Sequence, residues 1–148
     1  YESTRYNTEN DNYSGFESTL KNGMPIIGVM NIDLLKWNEK ASHQWFITIN
    51  IDYDGSKNNG LPDEKTFSLC NEFEDELNNL LKDKDGYLNI GRETSDGIRT
   101  VFYACKEFRK PSKVLNELKL KYQNQLNISF NLYKDKYWTT VNYYIDSI

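Results

Sequence analysis

From Gln44 to Tyr53 apolar and polar positions alternate. Trp45, Ile47, Ile49, Ile51 and Tyr53 fall on one face, with Phe46, Thr48, Asn50 and Asp52 on the other. A period of two predicts a strand buried mainly on its aliphatic side. Past a Gly/Asn/Ser loop at 54–60 the period changes. Leu61-Pro62-Asp63-Glu64 offers proline for a first helical turn and acids for the positive end of the dipole. Phe67, Cys70, Phe73, Leu77, Leu80 and Leu81 then recur at helical spacing, and Gly86 supplies a stop.

The same reading continues downstream. Tyr87–Glu93 and Ile98–Cys105 are the arms of a hairpin that turns at Asp96-Gly97. Pro111-Ser112 opens a second helix with the stripe Val114, Leu115, Leu118 and Tyr122. Ile128, Phe130 and Leu132 face inward on a further strand, with Asn127, Ser129, Asn131 and Tyr133 outward. Lys134-Asp135-Lys136 reads as a turn and Tyr137–Ile145 as a last strand. Upstream, Phe16–Leu20 and Pro25–Ile32 flank Asn22-Gly23, the signal of a type I′ hairpin. Residues 1–13 read as a polar arm, and Asp33–Ser42 as a connector carrying Trp37.

The two periods predict one α+β domain over residues 14–148. From Gln44 the order is β-α-β-β-α-β, a ferredoxin-like core with an N-terminal β-hairpin and an extra C-terminal strand. Two helices then cover one face of an antiparallel sheet. The other face is expected to be free of helices and polar, with Thr48, Asn50, Asp52, Ser129 and Asn131 among scattered aromatics.

Composition narrows the function classes. The 148 residues are 38% hydrophobic, enough for a core, and include 11 tyrosines. Mean hydropathy of -0.77 makes the surface very polar, and no apolar run approaches the ~20 residues of a membrane span. A net charge of -4 argues against nucleic acid, whose binding rests on neutralising phosphates. Cys70 and Cys105 lack metal-ligand spacing and read as small core residues, a disulfide being the alternative in an oxidising compartment. No metal or other cofactor is expected. A cytoplasmic location is expected, and the start at Tyr1 leaves open a removed leader and a secreted or periplasmic one.

Several stretches together resemble the DUF695 family, bacterial proteins of unknown function. They are Gly60-Leu61-Pro62 before the helix, Phe73-Glu74-Asp75-Glu76-Leu77 within it, Gly91-Arg92 through Thr94, Asp96-Gly97, the return Val101-Phe102-Tyr103, and Asp135 with Trp138. The likeness spans most of residues 44–145. It implies the α+β fold and says almost nothing of chemistry. It also implies kinship with ribonuclease E inhibitor proteins, which are acidic and ferredoxin-like. The departure is at Tyr144-Ile145-Asp146-Ser147-Ile148, where the family commonly has an aromatic, proline-containing tail, so no role of that tail carries over.

Candidate chemistry is sparse. His43, the lone histidine, has no partner motif and is expected at the surface. Glu72, Glu74, Asp75 and Glu76 read as a solvated helix face, a carboxylate pair or hard-metal ligand set being the alternative, and Asp52-Tyr53-Asp54-Gly55-Ser56 lacks the spaced acids of a calcium loop. Arg92 and Arg99 sit on paired arms of the hairpin. They either form a bidentate anion site or pair with neighbours such as Glu93 and Asp96. Tyr133, Tyr137, Trp138, Tyr143 and Tyr144 form either an interface or a share of the core. The expected function is a non-enzymatic regulatory or interaction domain, inhibitor- or immunity-like, that binds another protein through the helix-free face and the C-terminal aromatics. The alternative is a small-molecule, anion-binding or enzymatic domain using Arg92 and Arg99. Oligomeric state stays open.

Overall fold

In the computed structural model, residues 7–146 are described. The elements run β1 (Tyr13–Thr19), β2 (Pro25–Asn31), the single turn α1 (Ile32–Leu35), β3 (Trp45–Asp52), α2 (Glu64–Leu80), β4 (Tyr87–Ser95), β5 (Ile98–Cys105), α3 (Arg109–Lys121), β6 (Asn127–Lys134) and the single turn α4 (Asn142–Ile145). The strands form one antiparallel sheet in the order β1-β2-β4-β5-β3-β6. This is a mixed α+β fold with an open six-stranded sheet. The predicted arm 1–13 lies partly outside the described residues. Within them, Thr8 donates its backbone N–H and its hydroxyl to Asp83 at 2.7 and 2.8 Å.

Helix α2 starts where the chain chemistry asks. Asp63 is its N-cap and accepts the Thr66 N–H at 2.8 Å. The apolar stripes of α2 and α3 close over Ile47, Ile49, Ile51, Val101, Tyr103 and Ile128 to make one core. Cys70 and Cys105 are free and buried in it. Phe67 and Leu80, two members of the expected α2 stripe, are instead exposed at 47% and 42%.

The opposite sheet face departs from expectation, because half of it is a second core. Met30, Phe46, Leu88, Ile90, Phe102 and Ala104 pack there beneath Leu34, Leu35, Trp138, Val141 and Tyr144. The cover comes from α1 and from the C-terminal segment, which is not a strand. After β6 the chain makes a 3-10 turn at Thr139–Val141 and then α4. Asp135 dictates this by accepting the N–H groups of Thr139 and Thr140 at 2.8 and 2.9 Å and both their hydroxyls. Trp138 takes a left-handed conformation (φ 56) that breaks the extended run. His43 is likewise not at the surface. It is fully buried, its ring edge-on to Trp37 at 5.6 Å and its carbonyl bound by the Trp138 indole N–H at 2.8 Å.

The two hairpins also differ. Asp96 and Gly97 both have positive φ, as a type I′ turn requires. In the β1–β2 connection only Gly23 does, and the Leu20 carbonyl accepts its N–H at 2.9 Å, so that turn is not type I′.

Candidate functional site

One irregularity in β4 builds the site. Leu88 pairs with Ala104 and Asn89 with Tyr103, but Gly91 pairs with Phe102, so Ile90 is an extra residue in the strand. Such a bulge reverses the alternation beyond it. Arg92 and Thr94 therefore face the α2 side instead of joining Leu88 and Ile90. Gly91 is required here: at φ +150 an added Cβ would lie 2.3 Å from the Val29 carbonyl.

Arg92 lies opposite Val101, and Arg99 opposite Thr94, so both arginines share the α2 side of the sheet. They do not pair with Glu93 or Asp96. Both converge on Glu74 of α2, which is 5% exposed and not part of a solvated face. Arg99, itself 1% exposed, donates Nη2 to the Glu74 carboxylate and, at 2.8 Å, to Asn71 Oδ1. Its guanidinium also lies 5.6 Å over the Phe67 ring. Burial raises the Glu74 pKa, against the lowering pull of Arg99 and Arg92.

Arg92 is held differently. Its Nη1 is 3.6 Å from Glu74 Oε2, beyond hydrogen-bond range, and its side chain is 37% exposed. It lines a cavity of about 450 Å³ with Tyr13, Val29, Asn71, Glu74, Asn78 and Asn89. A second cavity of about 280 Å³ shares Tyr13, Asn78 and Asn89 and continues to Leu81, Lys82 and Asp83. The two lie next to each other along α2, and together they form a groove.

The amides along α2 have fixed directions. Asn78 Oδ1 accepts from the Tyr103 hydroxyl and, at 3.0 Å, from Asn89 Nδ2. Asn71 Oδ1 faces Arg99, a donor without acceptor capacity. The amino groups of Asn71 and Asn78 consequently turn away from these partners, and neither has an acceptor among the described residues. Seven positions apart on one helix, they are separated by about 10 Å.

The remaining candidates scatter. On α2, Glu72 and Asp75 are exposed, while Glu76 reaches Lys121 at 2.8 Å and the Tyr122 hydroxyl at 2.9 Å on α3. Trp138 and Tyr144 are core residues, and Tyr133 is half-buried with its hydroxyl 2.8 Å from Thr140 Oγ1. Tyr137 and Tyr143 stay exposed at 64% and 50%. Tyr143 and Tyr144 both donate to Glu93 Oε1, at 2.8 and 2.6 Å, on the sheet face opposite the groove. The predicted aromatic strand is thus no single surface. Sequence reasoning placed Glu74 on a solvated face and missed Asn71 and Asn78.

Among the described residues no group of three or more His, Cys, Asp or Glu side chains is placed to hold a metal, and no helix is long and apolar enough to cross a membrane. No curated protein and no solved structure matches the chain. A family model matches residues 12–146, nearly the whole described chain. The chain belongs to that family, DUF695, a family of unknown function.

Proposed function

We propose that the protein is a non-enzymatic interaction domain that takes a linear segment of another protein into the groove along α2. The observation that carries this reading is the pair of neighbouring cavities that share Tyr13, Asn78 and Asn89. Their linings carry hydrogen-bonding side chains along the flank of α2. An extended chain rises about 3.3 Å per residue, so three residues span the Asn71–Asn78 interval. Side-chain amides suit such a guest because each can serve a peptide N–H or C=O. His43 neither lines the groove nor holds its imidazole toward solvent.

Two further features support a regulatory fold of this kind. Within residues 45–134 the strand order β4-β5-β3-β6, with one helix after β3 and one after β5, supports a split-βαβ, ferredoxin-like core to which β1 and β2 are added at the β4 edge. The acidic net charge of -4 suits a basic partner.

The reading is tested by selecting displayed linear peptides on the wild-type protein and rescreening them against Asp75→Trp. Asp75 is exposed and lines the groove, so the indole fills it without touching the core. Selected peptides should weaken at least about ten-fold, the scale of a lost anchor side chain. Peptides indifferent to the substitution would sink the proposal.

The alternative is small-molecule or anion binding by Arg92 and Arg99. Both guanidinium groups lie on one side of the sheet, as this reading asks, but they meet at the Glu74 carboxylate, which already supplies their counter-charge. Arg99, though, is enclosed and already held by Glu74 and Asn71, which leaves Arg92 to meet a ligand.

A further inference from the structure

We infer that the segment taken into the groove presents a carboxylate, received by the Arg92 guanidinium, while the amides of Asn71 and Asn78 line the same cavity along the helix. This rests on the groove being the binding site. The Arg92 guanidinium makes no hydrogen bond among the described residues, yet it is nearly two-thirds enclosed in a cleft, its side chain 37% exposed. A guanidinium carries five N–H donors in a planar fork that matches the two oxygens of a carboxylate. Glu74 does not supply that match. Its Oε2 is committed to Arg99 and stands 3.6 Å from Arg92.

The neighbouring donors point the same way. Arg99 engages Asn71 Oδ1, and Tyr103 with Asn89 engages Asn78 Oδ1, which leaves the amino group of each amide without an acceptor among the described residues. Three donor groups with unused hydrogens therefore line one cavity of about 450 Å³. The same lining holds Glu74 and Asp75, whose charge opposes a dianion. A planar monoanion fits this balance better than phosphate does.

Two sources share this chemistry: an acidic side chain within the segment and a free C-terminus. Amide and guanidinium signals of ¹⁵N-labelled protein are followed during titration with capped Ala-Ala-Glu-Ala-Ala, its Gln counterpart, and Ala-Ala-Ala-Ala-Ala with a free or amidated C-terminus. Inorganic phosphate is titrated alongside. The Glu peptide, the free-acid peptide or both should bind at least about ten-fold tighter than the neutral counterpart, and which one does identifies the source. Arg92→Gln should abolish the preference, and Arg92→Lys should keep part of it by retaining the charge. Neutral peptides that shift groove signals as strongly as the carboxylates would overturn this inference and leave the groove reading standing. Phosphate binding tighter than the carboxylate peptides would also overturn it. No perturbation by any peptide would overturn both.

Discussion

Arg92 and Glu93 are adjacent on β4 and act on opposite sides of the sheet. Arg92 reaches toward Glu74 in the α2 groove, and Glu93 accepts the hydroxyls of Tyr143 and Tyr144 from the C-terminal segment. The bulge at Ile90 sets this arrangement, since without it the two side chains would exchange faces.

The buried pair beneath the groove should behave asymmetrically on mutation. Glu74→Leu strands the Arg99 charge and should cost about 3–5 kcal/mol, whereas Glu74→Leu with Arg99→Met should cost clearly less. Urea denaturation midpoints of the three proteins decide this. A double variant as unstable as the single one would contradict the charge account.

Acid should destabilise the fold through His43. Burial, with Lys106 nearby, lowers its pKa from the ordinary 6.5 to about 4. Between those values the unfolded chain holds a proton that the folded chain refuses. Stability therefore rises with pH across this window and is lost on acidification, by about 3 kcal/mol in total. Asp135, whose pKa is raised by burial but brought below the ordinary value by its Thr140 and Thr139 hydrogen bonds, adds a further loss at lower pH. His43→Gln should flatten the profile between pH 6.5 and 4 and leave the Asp135 part intact. An unchanged slope in that window would exclude His43 as its source.

Gly28 should resist even alanine. A Cβ there would lie 2.7 Å from the Tyr144 hydroxyl, which itself bonds Glu93. Gly28→Ala should cost about 1–3 kcal/mol by overpacking, and should open the chain after β6 to limited proteolysis. Wild-type stability together with wild-type protection of that segment would refute the contact.

Asp135→Ala removes four hydrogen bonds to Thr139 and Thr140. The expected loss is about 2–3 kcal/mol. The turn that seats Trp138 should loosen, and tryptophan emission should shift to the red. Unaltered emission would show that Trp138 is seated without this cap.

Much of the sheet is legible in the chain because its periods are clean. The Ile47–Ile51 alternation and the Asp96-Gly97 turn have local causes. The elements that depart have non-local ones. Thr139-Thr140-Val141 and the following tyrosines have strand propensity, and Asp135 overrides it through a hydrogen-bond pattern that composition does not display. His43 is packed against Trp37, and its carbonyl is bound by Trp138, 95 positions away. Some of the site was readable after all. Glu74 stands four residues after Cys70 and three before Leu77, inside the apolar stripe, and Arg99 shares a face with Val101 and Tyr103. A charged residue on each buried face is the signal of a pair across the interface. Gly91 within a strand marks the bulge, but only the register shows that Arg92 is turned by it.

The most direct measurement is a chemical-shift map of the labelled protein with a display-selected peptide. The groove account predicts perturbations concentrated at Tyr13, Val29, Asn71, Asn78, Asn89 and Arg92, with α3 and β6 unaffected. A map centred instead on β6, Tyr137 or Tyr143 would contradict it.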